Sequence, residues 1–150
     1  MKLTKHTDYA FRVLIYLAGY EKDKLATIKE VTAVFDISRD HVMKIVQKLA
    51  KAGFVDAIRG KFGGMKLGSN AADINLRDVV TLMEVTLAPV NCEEPPCRIA
   101  QGCVLQTLLF EAQELFLSHL GQYTLSDLIK PESETLYIIK ALGESFAAGE

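Results

Sequence analysis

All three cysteines of the chain lie in one short loop, in the segment Asn91-Cys92-Glu93-Glu94-Pro95-Pro96-Cys97-Arg98-Ile99-Ala100-Gln101-Gly102-Cys103. Their spacing is C-x4-C-x5-C, and two adjacent prolines stiffen the first gap. An odd number of thiols in one loop cannot form a closed set of disulfides. Thiolates are soft ligands that suit zinc, copper(I) or an iron–sulfur centre. We interpret Cys92, Cys97 and Cys103 as ligands of an iron–sulfur cluster.

Three thiolates would leave one iron of such a cluster with a ligand that is not a thiolate, and that iron is the easiest for a small molecule to attack. Cys103 also falls at a predicted helix N-terminus, where the helix dipole favours the thiolate form. Both features indicate a sensor. The alternative is a zinc-stabilised adaptor protein, in which the three cysteines and a histidine hold structural zinc. Colour separates the two, because a zinc protein is colourless and a cluster absorbs broadly in the visible.

The size and composition of the chain predict a folded protein with a real core. Its 150 residues are 49% hydrophobic and 24% charged, which is typical of one globular domain or of a small domain with an appended arm. The apolar stretch from Val13 to Ala18 is too short to span a membrane, and charged residues precede it. We therefore expect a cytoplasmic protein, in a compartment where clustered cysteines bind metal more often than they form bridges.

The net charge of −2 conceals an asymmetry between the two halves of the chain. Residues 1–66 contain 13 Lys and Arg against 7 Asp and Glu, a surplus of six positive charges. Residues 67–150 contain the remaining 4 Lys and Arg against 12 Asp and Glu, a surplus of eight negative charges. A basic front half and an acidic back half suggest that only the front half meets a polyanion.

The basic half predicts a helix-turn-helix. A first helix covers about residues 7–20, and a second, short helix begins at the capping box Thr27-Ile28-Lys29-Glu30. Ser38 is the predicted N-cap of a third helix. The buried stripe of that helix is formed by Val42, Ile45, Val46 and Leu49. Two short helices joined by a tight turn, the second carrying cations, are typical of a unit that enters the major groove of DNA.

A β-hairpin is predicted directly after the third helix. Residues 54–59 have the length and branched content of a strand, residues 60–64 form a glycine-rich turn, and residues 65–67 return. A phosphate-binding loop is rejected because its spacing is absent. A plain surface hairpin is the alternative to a DNA-binding wing. The fold class is therefore mainly α with a small β-hairpin wing. The predicted DNA-binding residues are Thr27, Ser38, Arg39, His41, Lys44, Lys48, Arg59, Lys61 and Lys66.

The acidic half predicts a helix over about residues 76–84, the cysteine loop, and a long helix from Cys103 onward. Leu105, Leu108, Ala112, Leu115 and His119 recur at intervals of three and four along that helix. Such a stripe packs either into the chain's own core or against a second copy of the chain. A winged helix that binds palindromic DNA must be paired, which favours the second copy. We place a winged helix-turn-helix domain at 1–75 and a cluster-binding and dimerisation region at 76–150. The tip of the tail is expected to be mobile.

Six motifs carry a resemblance to a known family. They are Thr7-Asp8-Tyr9-Ala10, Ser38-Arg39-Asp40-His41, the segment Leu49 to Val55, the wing turn Arg59 to Gly64, Asn91-Cys92 with the cysteine spacing, and Tyr123-Thr124-Leu125-Ser126-Asp127-Leu128. In this order, from Leu3 to about Ile129, they resemble the NsrR repressors. These form the nitric-oxide-sensing branch of the winged-helix family that also contains the iron–sulfur regulator IscR.

The resemblance implies a homodimer whose paired winged helices bind an inverted repeat in double-stranded operator DNA. It also implies a cluster held by the three cysteines and by Asp8 of the partner subunit, a 4Fe-4S cluster in preference to 2Fe-2S. His6 and His119 remain alternative ligands. IscR-type proteins instead use a histidine at the position of Gln106 here, and their first cysteine gap usually has five residues. Both departures favour the NsrR-type interpretation.

We hypothesise that nitric oxide nitrosylates the cluster, so that the repressor leaves its operator and genes for nitric-oxide detoxification are released. Coupling of about 1–3 kcal/mol between cluster and DNA would change operator affinity roughly 5–150-fold. The alternative within the family is a regulator that senses cluster supply or oxidant. An enzyme is the third class, but the sequence has no G-x-S-x-G, H-E-x-x-H or C-x-x-C motif. We expect no catalytic activity.

Overall fold

A computed structural model describes residues 2–20 and 24–148 of the chain. In order, the elements are the helices α1 (Lys5–Gly19), α2 (Ile28–Phe35) and α3 (Arg39–Lys51), the strands β1 (Val55–Ile58) and β2 (Gly64–Leu67), and the helices α4 (Leu76–Met83), α5 (Val104–Leu120), α6 (Leu125–Leu128) and α7 (Glu134–Ala148). Two short 3-10 turns cover Ala71–Asp73 and Ala100–Gly102. No helix within these residues is long and apolar enough to cross a membrane.

The helix-turn-helix is fixed by its caps, as the sequence predicted. The backbone N–H of Glu30 donates to Thr27 Oγ1 over 3.2 Å, and the Glu30 carboxylate accepts from the Thr27 N–H in return. Asp36, at the end of α2, adopts the left-handed conformation with φ of 51° and turns the chain toward Ser38. Ser38 Oγ then accepts from the His41 N–H at the start of α3. The capping box and the N-cap serine are both confirmed.

The predicted hairpin is also present. Strands β1 and β2 pair antiparallel, from Val55 opposite Leu67 to Ile58 opposite Gly64. The turn requires glycine at position 63, because a Cβ there would lie 2.2 Å from the Ile58 carbonyl oxygen. Met65 also pairs with Ala26, through N–H to carbonyl bonds of 2.8 and 3.0 Å. Strand β2 is thereby joined, close to the turn of the hairpin, to the segment that precedes α2.

The core is built around α1. Its apolar residues Ala10, Val13 and Leu14 are completely buried, and α3, α4, β2, α6 and α7 all pack on this helix. The core residues from other elements include Val42, Ile45 and Leu49 of α3, Val79 and Met83 of α4, Leu125 of α6 and Ile139 of α7. Elements from both halves of the chain thus share one core. The division into regions 1–75 and 76–150 stays a prediction.

Helix α5 contributes little to that core. Leu117 is its one buried residue, while Leu105, Leu108 and Leu115 of the predicted stripe are exposed. Leu105, Leu108 and Leu115 lie on one face of the helix, and an exposed apolar patch of this kind often marks a protein–protein contact surface. Of the two interpretations of the stripe, packing into the chain's own core does not occur.

Helix α7 is the element that the sequence analysis did not assign. It packs against α2 and α1, with Ile139 buried in the interface. A Cβ at Gly19 would lie 3.0 Å from Ile139 Cγ2, so glycine at this position allows the close approach of α1 and α7. The predicted mobile tip concerns residues 149 and 150, which lie outside the described residues.

Tyr16 gives a stability prediction. Its ring is completely buried, and its hydroxyl has no hydrogen-bond partner in the described part of the chain. Burial and, to a smaller extent, the nearby Glu30 charge raise the pKa of Tyr16 from 10.0 to about 12. Because the folded state keeps the phenol neutral, wild-type stability should be lost as the pH rises from 10 toward 12.

Tyr16→Phe should therefore increase the unfolding free energy by about 1 kcal/mol at pH 7 and reduce the alkaline loss of stability. Tyr20→Phe is the matched control, because the Tyr20 hydroxyl donates to Glu30 over 2.8 Å and its removal should destabilise the protein by about 1 kcal/mol. Urea denaturation at neutral and alkaline pH measures both effects. A Tyr16→Phe protein clearly less stable than wild type would contradict the expectation.

Candidate functional site

An open groove of about 950 Å³ lies between the start of α2, the exposed side of α3 and the hairpin. Three of the predicted DNA-binding residues, Thr27, Arg39 and Arg59, line it together. Its width is set by the Ala26–Met65 pairing described above, which holds the hairpin beside the N-terminus of α2. The arrangement combines a helix, a helix N-terminus and a strand turn, with two guanidinium groups, on one surface. Guanidinium groups and helix N-termini are among the groups that contact phosphates and base edges in protein–DNA complexes.

Two further predicted residues lie at the start of α3. Ser38 Oγ and His41 Nδ1 share a hydrogen bond of 2.8 Å. The His41 ring also lies 5.8 Å from the His6 ring and 6.1 Å from the Tyr9 ring, centroid to centroid. These contacts direct His41 toward α1, on a different side of α3 from the groove. Lys44 is exposed on the same helix.

The remaining predicted cations are dispersed. Lys48 Nζ donates to the Met83 carbonyl over 3.3 Å, so this side chain extends toward the end of α4. Lys61 lies at the hairpin tip, 5.8 Å from the centroid of the almost fully exposed Phe62 ring. Lys66 is exposed on β2. The roles of all nine residues in DNA binding stay predictions.

The groove also contains residues that the sequence analysis passed over. Met43 and Gln47 lie one and two helical turns beyond Arg39, so all three share one face of α3, beside the buried stripe, whose Val46 also lines the groove. Lys29 and Thr32 line the groove from α2. The four-residue spacing from Arg39 could have placed Met43 and Gln47 on the same helix face. They were not predicted because neither side chain is charged.

The cysteine loop is organised by its backbone. The Cys97 N–H donates to the Cys92 carbonyl over 3.0 Å, which folds the first gap into a closed turn. Asn91 Oδ1 accepts from the N–H groups of Glu93 and Glu94 at 3.0 and 3.2 Å. Cys103 is the N-cap residue of α5, as predicted. All three cysteines are free thiols, with Cys97 exposed and the other two half-buried.

The three cysteine sulfurs are chemically suited to a metal–sulfur centre, but the described residues of one chain do not form a complete ligand set. Three unpaired, accessible thiols on one loop are suitable soft ligands. Within residues 2–20 and 24–148, however, no three His, Cys, Asp or Glu side chains converge into a metal site. Asp8 lies on the first turn of α1, where its carboxylate pairs with Arg12 at 2.8 Å and both side chains are about half exposed. Of the histidines, His6 contacts His41, and His119 contacts Tyr123. A single chain leaves the ligand set open.

Glu84 was also missed by the sequence analysis. One of its carboxylate oxygens accepts hydrogen bonds from the Thr4 N–H at 2.8 Å, from Thr4 Oγ1 at 3.1 Å and from Thr7 Oγ1. Partial burial alone would raise the pKa of Glu84, but the hydrogen bonds from Thr7 and Thr4 and the charge of Lys48 lower it below its ordinary value. No local signal announces a contact between residues 80 positions apart.

The backbone is similar to several solved structures. CymR (YrzC), the global cysteine regulator of B. subtilis, has 26% sequence identity and a TM-score of 0.68 over 85% of this chain and 95% of its own. The oxidized form of Staphylococcus aureus CymR has 22% identity and a TM-score of 0.72 over 89% and 99%. T. potens IscR has 20% identity and a TM-score of 0.71 over 89% and 90%. The predicted winged-helix fold is confirmed.

Residues 3–131 match the model of a family described as Rrf2, iron-dependent transcriptional regulators. The match includes the groove, the cysteine loop, α5 and α6, and so covers most of the chain. The predicted resemblance to a winged-helix family containing IscR is confirmed at this level, while the narrower NsrR type is not resolved. The chain belongs to the Rrf2 family of transcriptional regulators.

Proposed function

We propose that this regulator is a homodimeric repressor that binds inverted-repeat DNA and responds to nitric oxide through an iron–sulfur cluster. The observation that carries the proposal is the continuity of one segment: a loop with three unpaired thiols leads directly into a helix whose apolar face is uncovered. A second copy of the chain would supply the ligand that the three cysteines lack. It would also cover the apolar face of α5.

DNA binding is assigned to the groove and the hairpin. Arg39, at the N-terminal end of α3, suits contacts to base edges or phosphates in the major groove. Arg59 and Lys61, at the hairpin turn, suit an adjacent minor groove or sugar-phosphate edge. The six surplus positive charges of residues 1–66 favour the same side of the molecule. The acidic second half then faces away from the DNA.

The residues that would hold the cluster are Cys92, Cys97, Cys103 and Asp8 of the partner subunit. When bound, an iron–sulfur cluster supplies iron that nitric oxide can attack. To ligate the cluster, Asp8 would have to give up its pairing with Arg12, so the ligation would act on the first turn of α1. Because α1 is the centre of the core and packs on α3, a change at Asp8 is linked to the orientation of the recognition helix.

A second candidate is direct sensing by the thiols. Cys97 is exposed, and the chain shares 26% identity with a cysteine regulator. In this version an oxidant or a small thiol would modify the loop without metal. Structural zinc in an adaptor, held by the same cysteines, is the third version.

The cluster can be tested by anaerobic purification. Wild-type protein should be brown with broad visible absorption, and Cys97→Ala should be nearly colourless because one of three thiolate ligands is lost. Glu94→Gln is the matched control in the same loop and should keep the wild-type spectrum. Nitric oxide should lower operator affinity of the brown protein about 5–150-fold in a gel-shift series. Colourless wild-type protein containing stoichiometric zinc would exclude the proposal.

The groove can be tested by the salt dependence of DNA binding. Arg59→Ala should weaken binding and reduce the slope of log affinity against log salt concentration by about 1, because one phosphate contact is lost. Arg77→Ala is the control, since Arg77 pairs with Glu114 at 3.9 Å in the acidic half and should leave the slope unchanged. Fluorescence anisotropy over a salt series measures both. An unchanged slope for Arg59→Ala would remove this residue from the interface.

The dimer can be tested on α5. Leu108 is 55% exposed in the chain and lies in the predicted stripe, so Leu108→Glu should convert a dimer to a monomer in sedimentation velocity. Val85 is 97% exposed but lies outside the stripe, so Val85→Glu should leave the dimer intact. A dimer that survives Leu108→Glu would mean that the copies meet through another face.

A further inference from the structure

Glu84 lies at the point where the DNA-binding part of the chain continues into the cysteine loop. It is the C-cap residue of α4, with its N–H donating to the Val80 carbonyl over 3.0 Å. The next residue, Val85, is almost fully exposed, and the chain continues without helix or strand to the first cysteine. On the side that leads to the DNA-binding part, the first regular structure that the loop meets is therefore α4, at Glu84, while on the other side Cys103 is itself the N-cap residue of α5.

The Glu84 carboxylate also caps α1. Thr4 is the N-cap residue of that helix, but its own side chain makes no capping bond to the helix N–H groups. Glu84 instead accepts from the Thr4 N–H, as the acidic residue of a capping box does, and from the hydroxyl of the completely buried Thr7. A carboxylate at a helix N-terminus is stabilised by the helix dipole. The same first turn of α1 carries Asp8, one residue beyond Thr7.

The end of α4 is held by the recognition helix as well. Lys48 of α3 donates to the Met83 carbonyl, the residue before Glu84, and its positive charge lies close enough to influence that carboxylate. Lys48 lies nine residues beyond Arg39 on one continuous helix. A shift at the end of α4 is thus transmitted to the helix that lines the DNA groove.

We propose that Glu84 is a positioning residue that couples the cysteine loop to the DNA-binding surface, by holding the first turn of α1 and the end of α4 together against α3. The inference rests on the proposed function in that the loop carries the signal. It adds the connection inside one subunit. Removal of the Glu84 carboxylate leaves the loop and the groove intact but disconnects them.

The first measurement is the ratio of operator affinities of cluster-loaded and cluster-free protein. Glu84→Ala should bring this ratio to within about twofold of one, because it removes all the hydrogen bonds from Thr4 and Thr7 to that carboxylate. Thr7→Val should move the ratio part of the way toward one, because the two bonds from Thr4 remain. Glu114→Ala, which removes an exposed carboxylate from α5, is the matched control and should keep the wild-type ratio. Equal weakening of both affinities by Glu84→Ala, with the ratio preserved, is the result of a merely structural role and would overturn the proposal.

The second measurement needs no cluster. Coupling between two sites is reciprocal, so operator DNA should change the alkylation rate of the loop thiols in metal-free, full-length wild-type protein, at least about twofold. The change should disappear in Glu84→Ala and persist in Glu114→Ala. An equal DNA effect in Glu84→Ala and wild type, or no DNA effect in wild type, would overturn the proposal. Colourless protein whose thiols still respond to DNA through Glu84 would reject the cluster and keep the coupling.

Discussion

The burial of α1 is the constraint on which the rest of the structure depends. Its apolar face is enclosed by α3 on one side and by α4, α6 and α7 on others, so the helix joins both halves of the chain. Complete burial of a residue such as Leu14 contributes about 1.5–3 kcal/mol, and several neighbours on the same helix are equally buried. Because interiors are close-packed, a displacement of α1 cannot be absorbed locally and is passed to the helices around it. Its first turn is therefore an effective place for a regulatory ligand.

Local signals in the sequence were sufficient for the DNA-binding part. The capping box at Thr27, the N-cap at Ser38 and the glycine turn of the hairpin act over three to five residues, so each can be recognised without knowledge of the fold. The apolar stripe of α5 was equally clear from the sequence. Periodicity alone could not say whether the stripe packs into the chain's own core, and the exposure of its leucines shows that it does not. The cysteine spacing drew attention to the loop between Cys92 and Cys103, whose sensing role is a proposal, and the Cys97 to Cys92 backbone bond folds its first gap into a closed turn.

Other features depended on contacts between distant segments and could not be predicted. The cap that Glu84 places on α1 requires two residues 80 positions apart to meet. The DNA-binding role of Lys48 stays a prediction, and its hydrogen bond to the Met83 carbonyl at the end of α4 could not be foreseen from its charge. Helix α7 follows a proline and a weak apolar pattern, and only the complementary surface of α1 and α2 gives it a place. On the proposed function the cysteine site is completed by a residue of a second copy, and no sequence pattern can specify the geometry of a contact between chains.

The pairing of Ala26 with Met65 has a consequence for how the protein follows its DNA. This short bridge connects the hairpin to the start of α2, because the N–H group of each residue donates to the carbonyl of the other. The hairpin therefore cannot tilt independently of α2, since a tilt would strain the bridge and the capped N-terminus of α2 beside it. Helix and wing instead present a fixed span to the duplex. On the proposed DNA-binding mode, a binding sequence would have to supply the bend and the groove width itself, so flexible base steps between the contacted grooves would become part of what is recognised.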